Sequence, residues 1–158
     1  MKFDLNAVRR QTLLLLLLLP FAGQLVGCNH GASMYQVSGK VHYKDGSVPT
    51  APVCLVRFEP APDSSAPIRK SASGAIDPKD GSFTLYTRKP GDGVYPGDYR
   101  VAFTLCKSAT DTKPLIPDKY AYANQSPFKI TVDGNKTDLQ YEIEPPTGAG
   151  AAASAPAN

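Results

Sequence analysis

Residues 95–106, "YPGDYRVAFTLC", decide how this chain is read. Pro96-Gly97-Asp98 is turn chemistry: proline presets φ, glycine accepts positive φ, and aspartate bonds back to its own backbone. From Tyr99 onward, Tyr99, Val101, Phe103 and Leu105 alternate with Arg100, Ala102 and Thr104. A period of two sends one set to a buried face and the other to the opposite face, as in a half-buried strand.

The same period recurs on both sides of this stretch. Upstream, Val37, Gly39, Val41 and Tyr43 alternate with Ser38, Lys40 and His42. Cys54, Val56 and Phe58 share a face opposite Arg57, and Phe83 and Leu85 alternate with Ser82, Thr84 and Tyr86. Downstream, Ile130 and Val132 follow Phe128, and Leu139, Tyr141 and Ile143 alternate with Gln140 and Glu142. A weaker strand lies at 71–76. The intervening segments Lys44-Asp45-Gly46, Asp77-Pro78-Lys79-Asp80-Gly81 and Asp133-Gly134-Asn135 are turns. Six or seven short strands with no convincing helix predict an all-β, antiparallel sandwich. The absence of Trp and the 15 prolines fit short strands and frequent turns.

This periodic region runs from Tyr35 to Glu144, 110 residues, close to the size of one β-sandwich. The tail at 145–158, "PPTGAGAAASAPAN", has no large apolar residue and is expected to be disordered. The other end has a different character. Lys2, Arg9 and Arg10 outnumber Asp4, and an unbroken leucine run follows from Leu13 to Leu19. These are the charged and apolar regions of a secretory signal. The 14 residues from Leu13 to Val26 fall short of a spanning helix, which needs about 20.

Leu25-Val26-Gly27-Cys28 resembles the bacterial lipobox, in which the cysteine takes a diacylglycerol and becomes the first residue of the mature chain. The resemblance implies lipidation of Cys28, a signal peptide at 1–27, a lipidated tether at 28–34 and membrane anchorage. Two or more acyl chains hold a protein on a bilayer stably. Asn29 in place of Asp after that cysteine points, by the same likeness, to the outer membrane or cell surface.

Removing the three basic residues and one acidic residue of 1–27 from the chain's 17 and 14 leaves 14 and 13, a net charge of +1. So neutral a surface gives no basis for nucleic-acid binding, which needs a basic patch.

The segments "VSGKVHYKDGSVPTAPVCLVRFEP" (37–60), "IDPKDGSFTL" (76–85) and "YPGDYRVAF" (95–103) together resemble transthyretin-like, carboxypeptidase-regulatory-type domains. "IPDKYAYANQSPFKITVDGNKTDLQYEI" (116–143) is similar to a set of small lipoproteins abundant in planctomycete-type bacteria. This resemblance covers about 35–144. It implies a seven-stranded, prealbumin-like (Ig-like) sandwich with no catalytic centre, serving as a folding, adhesion or interaction module.

Few residues are arranged for chemistry. The chain has two histidines, His30 on the tether and His42 on a solvent-facing strand position. Zinc needs three or four ligands at recognisable spacing, and nucleophilic serine needs a base with an orienting partner. Neither arrangement is present. Asp77, Asp80, Asp92 and Asp98 are oxygen ligands of the kind calcium takes, but they lack the spacing of an EF-hand loop, and turn chemistry accounts for them. Lys40 alternates onto the solvent face, which argues against an isopeptide bond. No enzymatic activity, metal or cofactor is expected.

Two features stay open. Cys54 and Cys106 are either a disulfide or separate thiols, because an oxidising envelope permits the bridge while strand parity opposes it. The 21-residue connection 107–127 exceeds ordinary loop length, and such loops are often functional. Within it, Ile116-Pro117-Asp118-Lys119-Tyr120 fits one helical turn. Tyr120 either plugs the open end of the sandwich or meets a ligand. Tyr95, Tyr120 and Tyr122 are the candidate ligand contacts. The preferred expectation is a membrane-anchored binding, adhesion or spacer module with envelope proteins or glycans as partners. The alternatives are a carbohydrate-binding module and an accessory domain to an envelope hydrolase.

Overall fold

The computed structural model of the chain describes residues 33–146. The signal segment, Cys28, His30, most of the tether and the tail beyond residue 146 lie outside the described residues. The elements in chain order are β1 (Val37–Tyr43), β2 (Val53–Pro60), β3 (Ala72–Ala75), β4 (Ser82–Thr84), β5 (Gly97–Cys106), α1 (Asp118–Ala121), β6 (Lys129–Val132) and β7 (Lys136–Ile143). They form two sheets, ordered β4-β1-β7 and β3-β2-β5-β6, so the chain is all-β in two layers as expected. No helix among the described residues is long and apolar enough to cross a membrane.

Alternation becomes burial along each long strand. In β1 every second residue is buried, starting at Val37 and ending at Tyr43. In β5 Tyr99, Val101, Phe103 and Leu105 are buried on one face. β5 starts at Gly97, two residues before the alternation becomes visible, because Gly97 already pairs with Val132.

The inward faces meet in a single core. Val37, Val41, Phe83, Tyr141 and Ile143 come from one sheet, and Val56, Phe58, Tyr99, Val101, Phe103, Leu105 and Val132 from the other. Full burial of side chains of this size stabilises by about 1.5–3 kcal/mol each. The Phe103 ring meets Tyr141 of the opposite sheet edge-on, with centroids 5.7 Å apart and planes at 70°. Burial raises the Tyr141 phenol well above its ordinary pKa.

The expectation of a wholly antiparallel body is corrected in one ladder. β1 runs parallel to β7, from Val37 opposite Lys136 to Tyr43 opposite Ile143. The first and last strands share no hairpin, so no tight turn imposes their relative sense. The other ladders are antiparallel. A second outcome could not be read from the local sequence: Asp133-Gly134-Asn135 links strands of different sheets, since β6 pairs with β5 and β7 with β1.

The layers also touch directly at one corner. Ser73 and Tyr86 exchange backbone hydrogen bonds, both 3.0 Å, between the β3 and β4 sides. The turn before β4 presses on β1, where the Val41 N–H donates to the Gly81 carbonyl at 2.9 Å. Gly81 has φ +73°, and a Cβ there would strike the Val41 carbonyl oxygen. Only glycine satisfies both constraints.

Candidate functional site

β2 and β5 lie side by side in register from Val53 opposite Cys106 to Pro60 opposite Tyr99. Opposed residues share a face, and a shift of one residue flips it. Val56 and Phe103 therefore point into the core. Arg57, opposite Ala102, and Thr104, opposite Leu55, point outward. This outward face is the floor of the site.

The long connection 107–127 forms the cover. β6 pairs only with residues 97–100 of β5, so the rest of that edge needs other partners. The connection and Phe128, the residue after it, supply them. Leu115 N–H donates to the Leu105 carbonyl at 2.8 Å, Val101 N–H donates to the Phe128 carbonyl at 3.0 Å, and the Ser126 hydroxyl donates to the Val101 carbonyl. Buried backbone groups are costly when unpaired, which explains why so long a loop is ordered along the edge. Ile116 is buried beneath it.

Within the cover, the expected helical turn is present as α1, with Pro117 preceding it. Its two tyrosines have opposite fates. Tyr120 is 5% exposed and stacks on Phe128, with centroids 5.8 Å apart, as part of the core. Its ring therefore belongs to the core cluster. Tyr95 is 7% exposed, and its carbonyl accepts the Tyr99 hydroxyl at 2.9 Å. Tyr122 is 42% exposed, the one large hydrophobic side chain so exposed among the described residues. The three candidate tyrosines are therefore not one platform.

Arg57 joins floor to cover. Its Nη2 donates to the Ala121 carbonyl at 3.2 Å, immediately before Tyr122, and its Nη1 lies 3.0 Å from Glu59 Oε1. Its Nε is buried with no partner among the described residues. At the far side of α1, Lys119 and Lys44 share the Glu144 carboxylate at 2.8 and 3.0 Å. The Lys119 partner and then the Lys44 partner hold that carboxyl below its ordinary pKa.

Between floor and cover is a cavity of about 260 Å³, whose lining includes Arg57, Thr104, Cys106, Asp111, Thr112 and Tyr122. Sequence reasoning found Tyr122 but missed Arg57, Asp111 and both threonines. A charged residue in mid-strand was the available signal for Arg57. Asp111 and Thr112 had none.

The two cysteines lie on opposite faces, as parity requires. Cys54 pairs with Leu105 on the inner side and Cys106 with Val53 on the outer, and both are free thiols. The possible Cys54–Cys106 bridge is therefore not made, because the two Cβ vectors leave the sheet in opposite directions. Burial pushes the Cys54 thiol up to about 11.

The four aspartates do not converge. Asp77 accepts from Lys79 N–H and Asp80 from Ser82 N–H. Asp92 accepts from the backbone of Thr87, Arg88 and Lys89, and Asp98 from the Thr131 hydroxyl at 2.6 Å. Lys40 pairs with Asp80 at the surface, 3.0 Å away. His42 lies opposite Glu142 in the other sheet, away from the cavity. Among the described residues, no three His, Cys, Asp or Glu side chains are grouped to hold a metal ion.

No family model, curated protein or solved structure matches this chain.

Proposed function

We propose that this chain is a non-enzymatic envelope lipoprotein, held on a membrane through acylated Cys28, whose sandwich serves as a binding, adhesion or spacer module. The observation that carries the reading is the order of features at the N-terminus: Lys2, Arg9 and Arg10, then the leucine run, then Leu25-Val26-Gly27-Cys28. Position at the outer membrane or cell surface belongs to the same proposal. A prealbumin-like topology for the body is supported by the three-plus-four division of strands and by the pairing of the first strand with the last. Asp77, Asp80 and Asp92, taken up by turn backbone, and Asp98, bonded to Thr131, support a non-catalytic role.

The test is metabolic labelling with a clickable fatty acid, followed by mass spectrometry of the amino-terminal peptide. The expected result is a chain beginning at Cys28 with both thioether and amide acyl groups, and an uncleaved, unlabelled Cys28→Ser precursor. An unacylated wild-type amino terminus retaining residues 1–27 would overturn the proposal.

A further inference from the structure

We propose that the cavity between the β2–β5 face and the 107–127 connection is a binding site for one ring of a neutral saccharide, seated against Tyr122. The inference deepens the binding-module reading and rests on it. The single large hydrophobic side chain left 42% exposed among the described residues is also on the lining of this cavity. An aromatic ring with one wetted face offers apolar area to the C–H face of a sugar at low entropic cost.

The polar lining matches the rest of a sugar ring. Asp111 supplies acceptors beyond the Oδ1 that already takes the Lys113 N–H at 3.0 Å, Arg57 donors beyond those given to Ala121 and Glu59, and Thr104 and Thr112 groups that do either. Vicinal hydroxyls need that mixture, since each donates once and accepts as well. The Arg57 side chain is 37% exposed, so part of its guanidinium can be reached from the cavity.

Charge selects a neutral ring over an acidic one. The guanidinium is already 3.0 Å from Glu59, and the lining adds Asp111, so no cation is left over for a carboxylate or sulfate. Size selects a single ring. Pockets for drug-sized ligands measure about 300–1,000 Å³, and a cavity of about 260 Å³ takes one unit with the remaining chain lying outside.

The site is built before any ligand arrives. The Arg57–Ala121 hydrogen bond, the buried Tyr120 plug and the Ser126–Val101 bond hold the cover in place. Preorganisation of this kind lowers the ordering cost of binding.

The experiment uses the full-length chain in detergent. It is titrated by calorimetry with gluco-, manno-, galacto- and xylo-configured oligosaccharides, and with oligogalacturonate as the anionic arm. Saturable binding of at least one neutral series is expected, weakened about tenfold by Tyr122→Ala and by Asp111→Asn and unchanged by Lys79→Ala. Melting curves establish that each variant is folded. Binding confined to oligogalacturonate, or neutral binding that Tyr122→Ala leaves intact, overturns the assignment. A photo-crosslinking residue replacing Tyr122 in intact envelopes separates the two levels. A captured protein and no sugar binding overturns the saccharide site but leaves a binding module, whereas no saturable partner in either experiment overturns both.

Discussion

Arg57 Nη2, on the outer face of β2, donates to the carbonyl of Ala121 at 3.2 Å across 64 residues of sequence. That bond links the sheet to the end of α1, just before Tyr122. Replacing Arg57 with Met keeps the stem that packs on the sheet and removes the donors. The expected loss is about 1 kcal/mol, below the about 1.5–3 kcal/mol of a buried charged hydrogen bond because the side chain is partly exposed. Amide exchange should localise the effect: the Tyr122 N–H, bonded to the Asp118 carbonyl at 3.0 Å, exchanges faster in Arg57→Met while amides of β1 do not.

The two tyrosines of the cover should separate cleanly in stability. Tyr120→Ala empties a site walled by Phe128 and the core, and the expected cost is about 3 kcal/mol or more. Tyr122→Ala should stay within about 0.5 kcal/mol of wild type, as for an exposed position. Urea unfolding of both variants checks this, and equal losses would contradict the opposite burial of the two rings.

Acid should destabilise the body through its turn carboxylates. Asp80 is held below its ordinary pKa by the Ser82 hydroxyl, then by Lys40, then by the Ser82 backbone N–H. Glu144 is lowered by Lys119 and then Lys44, and Asp133 by Lys136. A carboxyl depressed on folding contributes stability above its unfolded pKa and loses it as pH falls through the folded value. The melting temperature should therefore be flat down to about pH 5 and fall below that. Asp80→Asn should flatten the acid limb, and added salt should weaken it. A melting temperature rising on acidification would have the wrong sign.

Thiol titration reads two claims at once. In the native protein Cys106 is buried and the Cys54 thiol is pushed up to about 11, so both should react slowly at neutral pH. Thiolate at Cys54 appears only as pH approaches that value, so its rate should keep rising through the alkaline range. Unfolding without reductant should release two thiols if Cys28 is acylated and all three cysteines if it is not. Release of neither Cys54 nor Cys106 would mean that the pair is bridged after all.

Much of this architecture was legible in the residues themselves. Alternation at Val37–Tyr43 and from Tyr99 to Leu105 marked both strands and their buried faces, because the side-chain period of a strand depends only on local geometry. Turn residues such as Asp80-Gly81 marked the boundaries for the same reason, and parity alone placed Cys54 inward and Cys106 outward. Local pattern says nothing about partners. That β1 lies parallel to β7, that Asp133-Gly134-Asn135 passes between sheets, and that Ser73 meets Tyr86 depend on contacts between distant segments. The site belongs to that second class. Tyr120 and Tyr122 are two residues apart and chemically identical, yet one is in the core and the other faces solvent. Which ring is covered was decided by how the connection folds back along the edge of β5, where unpaired backbone groups must find partners.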